Sequence, residues 1–274
     1  MLEKKSAATK QIAKAEQFRA LHVPGKPFIL FNVWDAGSTK AVAAGGAKAI
    51  ATSSWSVANA NGFTDGEHIP WVLAIDNLRR IVGATDLPVT FDLESGYGDA
   101  PDAVGDAISM VINAGAAGCN LEDSFPANGK LRETFAQVDR IRCARKRADA
   151  ANPAFFINAR TDVFFQKPPE QHDDAMVAEA IDRARAYAEA GADGLFAPGL
   201  ADITLIAHLA DASVLPLNIM ITDGTPPTRS LAEHGVARVS YGPHPYLMAM
   251  KALEEAARAA ARSGEGSPEE APPD

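Results

Sequence analysis

Two carboxylates two residues apart, Asp92 and Glu94, are the centre of the chemistry this sequence offers. In an extended segment such a pair projects from one face, and carboxylates within reach of each other repel unless a cation lies between them. A divalent metal is the simplest such cation. Hard oxygen donors with no accompanying His or Cys cluster favour Mg²⁺, with Mn²⁺ as the alternative, over Zn²⁺, and leave room for several bound waters. Glu122 is placed to complete that shell. Arg160 offers five donors in a planar fork that suits a carboxylate or an oxyanion beside the metal. The same residues also read as a structural network in which Arg160 only neutralises the acids. Ser53 and Ser54 present hydroxyls or backbone amides to a substrate carboxylate, or are plain turn residues.

The six His residues are scattered. His22, His68, His172, His208 and His234 fall in expected helices or loops without converging partners and read as solvated or structural. His244 differs, because it follows the last expected strand, although Pro243 and Pro245 beside it fit a rigid turn equally well. Cys119 and Cys143 have neither a neighbouring base nor a Cys-x-x-Cys spacing, so no thiol nucleophile and no disulfide framework is expected. Such sparse cysteine fits a reducing, cytoplasmic setting. Gly96-Tyr-Gly98 reads as a flexible turn rather than a phosphate loop.

The elements that must position these residues follow from a repeated unit: a short apolar or β-branched run, a turn, then an Ala-rich amphipathic stretch. Eight such runs, at 28–34, 47–53, 88–94, 118–123, 155–162, 194–198, 216–221 and 238–242, predict a (β/α)8 TIM-type barrel, and 274 residues suit one. An open doubly wound sheet is the alternative, but the Gly-x-Gly-x-x-Gly turn after its first strand is missing. In a barrel the active site lies at the carboxyl ends of the strands. Asn32 to Asp35, Thr52 to Ser54, Asp92 to Glu94, Glu122-Asp123 and Asn158 to Asp162 all stand at such ends. Residues 4–22, with Ile12, Ala15, Phe18, Arg19 and His22 at helical spacing, predict a helix ahead of the barrel, stopped by Pro24, Gly25 and Pro27. Residues 246–262 predict a helix longer than barrel closure requires, with Leu247, Met250, Leu253 and Glu254 along one side, a face suited to a partner subunit. Residues 263–274, rich in Pro, Gly and acids, predict a disordered, solvated tail beyond a single 1–262 domain.

Twenty-six basic against thirty-five acidic residues give a net charge of -9. That charge repels nucleic-acid phosphates and anionic lipid, and no basic stripe offsets it. No uncharged stretch reaches bilayer length. Neither nucleic acid nor a membrane is an expected partner, and the Lys-containing amino terminus, with no apolar run after it, reads as a polar helix start and not a signal peptide.

In order along the chain, Asn32-Val-Trp-Asp35, Thr52-Ser-Ser54, Gly62-Phe-Thr-Asp65, Asp92-Leu-Glu-Ser-Gly-Tyr-Gly98, Asn120-Leu-Glu-Asp-Ser124 and Asn158-Ala-Arg-Thr-Asp162 resemble the isocitrate lyase and phosphoenolpyruvate mutase superfamily, over about 28–249. The resemblance implies a Mg²⁺-dependent barrel that holds a 2-oxo acid or its enolate, assembled as a homo-oligomer, tetramer or dimer, with exchanged carboxyl-terminal helices. It further implies that Asp92 ligates the metal directly, that Glu94 and Glu122 act through bound water, and that Arg160 contacts the substrate. Ser53, Ser54 and Trp55 match the segment that grips the substrate carboxylate and carbonyl. Asp65 matches an acid of the mobile active-site region, and Asn218 the strand-seven asparagine.

Two departures narrow the expectation. Many members carry Asp where this chain has Glu94. The Lys-Lys-Cys-Gly-His or Lys-Arg-Cys-Gly-His loop of isocitrate and methylisocitrate lyases, whose thiol protonates the departing enolate carbon, is replaced by Ser124-Phe-Pro-Ala-Asn-Gly-Lys130. Loss of CO₂ needs no thiol, because water can protonate the enolate. The leading expectation is therefore carbon–carbon cleavage of a small 2-oxo or 2-hydroxy di-acid, of oxaloacetate decarboxylase type, with His244 assisting if it faces inward. Phe125 to Asn128 resembles the gating loop of phosphonopyruvate-processing members, one residue short, with Asn128 at the phosphonate-contacting place. That likeness supports the alternative, a phosphonopyruvate hydrolase or phosphoenolpyruvate mutase. A non-catalytic 2-oxo acid sensor built on the same residues is the third reading.

Overall fold

The short β-branched and apolar runs become eight parallel strands in the computed structural model, which describes residues 2–264. They are β1 (Phe28–Leu30), β2 (Ile50–Ala51), β3 (Val89–Asp92), β4 (Gly118–Glu122), β5 (Phe156–Arg160), β6 (Gly194–Phe196), β7 (Leu217–Met220) and β8 (Arg238–Ser240). The ladder runs β1-β8-β7-β6-β5-β4-β3-β2. The circle closes at an isolated parallel bridge between Val33 and Thr52, where Val33 N donates to Ala51 O at 2.8 Å and Ser53 N to Val33 O at 3.2 Å. This is the (β/α)8 barrel the repeat implied.

The ladder is shorter than the runs at 28–34 and 47–53. Beyond Leu30 a side chain replaces the backbone pairing: Asn32 Oδ1 accepts from Tyr241 N at 3.0 Å and Gly242 N at 2.9 Å, while its Nδ2 donates to Thr52 O at 2.8 Å. Asn32 thus ties the carboxyl ends of β1, β2 and β8 together.

The opposite end is plugged by α1 (Leu2–Ala20). Phe18, wholly buried, meets the rings of Phe28 and Phe156 edge-on at 5.9 and 5.5 Å. Gly118 opens β4 under that plug because a Cβ there would lie 2.7 Å from Phe156 O. His22 stacks on Phe156 at 3.9 Å. Its burial, reinforced by the Arg238 charge, pushes the imidazole down to about 3, so it is neutral and structural.

Amphipathic helices cover the barrel: α2 (Ala36–Ala44), α3 (Ser54–Ala60), α4 (Trp71–Gly83), α5 (Pro101–Asn113), α6 (Thr134–Ala151), α7 (Asp174–Ala190), α8 (Ile203–Ala212) and α9 (Thr228–Glu233). In α5, Val104, Ala107, Ile108, Val111 and Ile112 form the buried stripe that helical periodicity dictates. The last helix, α10 (His244–Gly264), starts two residues earlier than the spacing predicts and projects away, with every residue from Lys251 to Arg262 exposed. The outer face of β1 is left bare. A groove of about 790 Å³ opens there, lined by Leu21, Val23, Ile29, Phe31 and Val42 with Lys26 and Lys48 at its edge. Residues 265–274, most of the expected tail, lie outside the described residues. Among the described residues no helix is long and apolar enough to cross a membrane.

Candidate active site

Strand register brings the central residues together. Asp92 pairs with Asn120, and Glu122 with Arg160, so acids from β3 and β4 and the guanidinium from β5 share the carboxyl end. Arg160 Nη1 lies 2.7 Å from Glu122 Oε2, and its Nε donates to Asp162 Oδ1 at 2.6 Å. Asp162 is itself held by the Ser124 hydroxyl at 2.6 Å, and its backbone N–H donates to Asp123 Oδ1 at 2.9 Å. Asp123, fully buried, also accepts from the Tyr187 hydroxyl at 2.8 Å and from Arg183 at 3.2 Å. The fork of Arg160 is thereby fixed from behind by α7.

β3 ends at Asp92, and Glu94 adopts a left-handed φ of 53°. The i,i+2 alternation that would place both carboxylates on one face does not extend to it. Glu94 turns instead toward the loop after α3, where Oε2 accepts from Gly66 N at 2.9 Å and Glu67 N at 2.6 Å, while Oε1 accepts from the Tyr97 hydroxyl at 3.1 Å. Asp65, at the rim of that loop, still faces the cavity. Burial, then the charges of Asp65 and Asp92, raise the Glu94 carboxyl to about 7. Burial and Asp92 likewise push Asp65 up. For Glu122, burial pushes upward against the pull of Arg160, and Asp162, Asp92 and Glu94 add to the push. Excess negative charge is thus gathered at one point.

Whether a metal suits this point is decided by Asp92. Its Oδ2 accepts from Ser54 N at 3.1 Å, but its Oδ1 is buried with no hydrogen-bond partner among the described residues. Buried polar atoms are almost always paired, so an orphaned carboxylate oxygen amid like charges fits a bound cation. Among the described residues no three His, Cys, Asp or Glu side chains are arranged to close on one ion. The fit to a cation therefore rests on the orphaned oxygen of Asp92, a hard donor of the kind Mg²⁺ takes.

Above Asp92 lies a cavity of about 210 Å³. Its polar lining is Asn32, Ser53, Ser54, Asp65, Asp92, Asn120, Arg160 and Ser240, and its large apolar lining is Trp55, Phe165, Phe196, Pro198 and Met220. Of the residues expected in the site, Ser53, Ser54, Trp55, Asp65, Asp92 and Arg160 line it. The Ser53 hydroxyl is engaged as the cap of α3, accepting from Ser56 N at 3.3 Å. Glu94, Glu122 and Asn128 line an adjoining outer pocket shared with Asp65 and Arg160. Asn128 sits on an exposed turn and accepts from Lys130 N at 3.0 Å. Asn218 lies beneath the floor, bonded to Asn158 and Ser240, and does not line the cavity. His244 faces a neighbouring groove with Lys167 and Asp223, its Nδ1 3.1 Å from Tyr241 O. The residues this reading missed are Asn120, Asp162 and Ser240. Asn120 and Asp162 stand inside motifs already quoted but were given no role, and only its position at the end of β8 could have flagged Ser240.

Residues 18–261 match the family model described as phosphoenolpyruvate phosphomutase. A crystal structure from Burkholderia cenocepacia J2315, of a protein provisionally named a phosphonomutase, is 55% identical with a TM-score of 0.89, covering 91% of this chain and 99% of that one. An uncharacterized protein of Mycobacterium tuberculosis strain H37Rv is 36% identical over 255 residues, 93% of this chain and 92% of its own length. The 2-methylisocitrate lyase of Escherichia coli K12 is 33% identical over 192 residues, 67% of this chain and 61% of the lyase.

Proposed function

The chain belongs to the phosphoenolpyruvate phosphomutase family, and from that premise we propose that it is a Mg²⁺-dependent lyase that forms an enolate from a small 2-oxo di-acid by decarboxylation, as with oxaloacetate. One observation carries the choice of reaction. Among the described residues, Arg160 is the one cationic side chain lining the cavity and its outer pocket, and it is already shared between Glu122 and Asp162. Phosphonate or phosphoryl chemistry calls for several positive groups around the dianion. A leaving group that departs as neutral CO₂ does not, and the wall of Phe165, Phe196, Pro198 and Met220 suits it.

Asp92 would hold the metal, with Glu122 nearby through water. When bound, the ion would polarise the 2-oxo oxygen as a Lewis acid. Ser54 and the α3 turn orient the substrate carboxylate. Arg160, fixed in direction by Glu122 and Asp162, supplies preorganised positive charge where the carbonyl oxygen becomes negative. The carbon–carbon pair released by CO₂ becomes the enolate, which takes a proton from water to give the 2-oxo acid product. No side chain need act as the proton donor, consistent with the absent thiol.

The phosphorus–carbon reading keeps one observation in its favour: Asn128 and its turn stand over the outer pocket beside Glu122 and Arg160. The test is a panel of oxaloacetate, phosphonopyruvate, methylisocitrate, isocitrate and dimethylmalate with Mg²⁺, with and without chelator. Chelator-sensitive pyruvate from oxaloacetate above the metal-only background is expected. Phosphate or phosphoenolpyruvate from phosphonopyruvate would replace this reading with the alternative, and silence across the panel would leave a substrate outside it or the sensor.

We also propose a homo-oligomer, dimer or tetramer, in which α10 of one copy covers the β1 groove of another. The support is the match of an unpartnered amphipathic helix to an uncovered apolar groove.

A further inference from the structure

Glu94 and Glu67 exchange carboxylates across two loops. Glu94 accepts the backbone N–H groups of Gly66 and Glu67, and Glu67 Oε1 in return accepts from the Ser95 hydroxyl at 2.7 Å and from Tyr97 N at 2.8 Å. Each acid therefore binds the segment that carries the other. One half of the exchange rests on a rigid base. Arg140, almost wholly buried, donates to the carbonyls of Ser95, Gly98 and Asp99. It pins the 95–99 turn from below.

The backbone shows what this arrangement sustains. Glu67, Glu94 and Tyr97 all have left-handed φ values, 63°, 53° and 53°, the only non-glycine residues described that do. Left-handed backbone is unfavourable for a residue with a Cβ and persists only where its surroundings hold it. Here the surroundings are the two carboxylates. The other half of the exchange, residues 65–67, carries Asp65 to the cavity beside Asp92 and Ser54.

We propose that Glu67 and Glu94 form a reciprocal clasp that positions Asp65 over the cavity, and that Glu94 serves this loop rather than the water shell of the metal. Three protein donors fill both sites of Oε2 and one of Oε1, so at most one acceptor site of the carboxylate is left for a metal-bound water. The extra methylene of Glu over Asp is what lets it reach Gly66 and Glu67. Glu67 and Glu94 are positioning residues. The clasp's consequence for turnover rests on the lyase reading above, while its structural content does not.

The test combines amide exchange of residues 61–70, Mn²⁺ affinity by electron paramagnetic resonance, and oxalate affinity together with kcat and KM on whichever substrate turns over. Glu67→Ala is expected to speed exchange at Gly66 and Glu67 about tenfold, the equivalent of one or two lost hydrogen bonds. It should weaken oxalate binding or raise KM by a similar factor, with a smaller change in kcat. Glu67→Gln, which keeps an acceptor oxygen, should restore both. Glu94→Asp should reproduce the loosened loop with Mn²⁺ affinity within about twofold of wild type. Unchanged exchange in Glu67→Ala overturns the clasp. A protected loop with Mn²⁺ affinity lowered more than tenfold in Glu94→Asp returns Glu94 to the metal. If no substrate turns over, the lyase reading fails, while exchange and Mn²⁺ binding still decide the clasp.

Discussion

Glu122 and Arg160 are register partners on β4 and β5, and their side chains meet at 2.7 Å over the carboxyl end of the ladder. Asp162 holds the second edge of the same fork, so the guanidinium has one orientation available. Charge alone does not reproduce that. Arg160→Lys keeps the cation but loses the planar fork, and kcat should fall on the order of 10²-fold, the usual cost of misplacing a preorganised donor. Steady-state kinetics check it, with circular dichroism to show that the barrel is intact.

Metal-free protein should lose stability as pH rises. Glu94 moves from an ordinary 4.5 to about 7, and Asp65 and Glu122 are raised too. Between those values the folded state holds more protons than the unfolded one, so stability is full below 4.5 and lost as pH climbs through 7. Glu94 alone accounts for about 3 kcal/mol of this loss across the window. Thermal melts in chelator from pH 4.5 to 8 should show a falling midpoint, and Mg²⁺ should flatten the fall by compensating the ionised carboxylates.

The barrel and its central triad were legible because each depends on a strand. Asp92, Glu122 and Arg160 stand at the ends of β3, β4 and β5, where alternation and register leave little freedom. Glu94 stands past the end of β3, and the same alternation misplaces it: a left-handed residue obeys hydrogen bonds from a loop 27 residues away in sequence. His244 and Asn218 fail for a related reason. Sequence position puts both near the catalytic end, but the Gly242-Pro243 turn and the layer of Ser240 decide which way a side chain looks. Asn120 and Asp162 escaped because a residue beside a chosen one reads as context until the cavity is seen.

Asp92→Asn should abolish the Mg²⁺ response. The orphaned Oδ1 is the oxygen best placed to take the ion, and an amide offers a neutral oxygen at most. In the wild type, Mg²⁺ at a hundred times its dissociation constant should add about 2.7 kcal/mol of stability. The variant should show no shift in melting midpoint at the same concentration. A wild-type-sized shift in Asp92→Asn would move the metal elsewhere.

Leu247, Met248 and Leu253 leave α10 with large apolar surface in water, at 47%, 62% and 63% exposure. In the proposed homo-oligomer, these residues belong to the surface of α10 that covers the β1 groove of another copy. Leu253→Asp should weaken assembly, and light scattering behind a sizing column should show the mass shifting toward the monomer of 28.9 kDa. A wild-type protein already at monomer mass would end the helix-exchange proposal.

Phe18→Ala tests whether the plug and the site are independent. Phe18 is fully buried among Phe28, Phe156 and the ring of His22, with the Arg238 guanidinium 5.9 Å from its ring centre. Removing the ring leaves a cavity that the short strands β1 and β5 cannot collapse to fill, and the loss should be about 3–5 kcal/mol. The groups around Asp92 lie at the other end of the barrel. Denaturant midpoint should therefore drop while Mg²⁺ affinity, measured below the new midpoint, stays within twofold. A parallel fall in Mg²⁺ affinity would mean that packing at the amino-terminal end reaches the metal-binding end, with Arg238, which donates to Asn120 Oδ1 at 3.1 Å, as the connection.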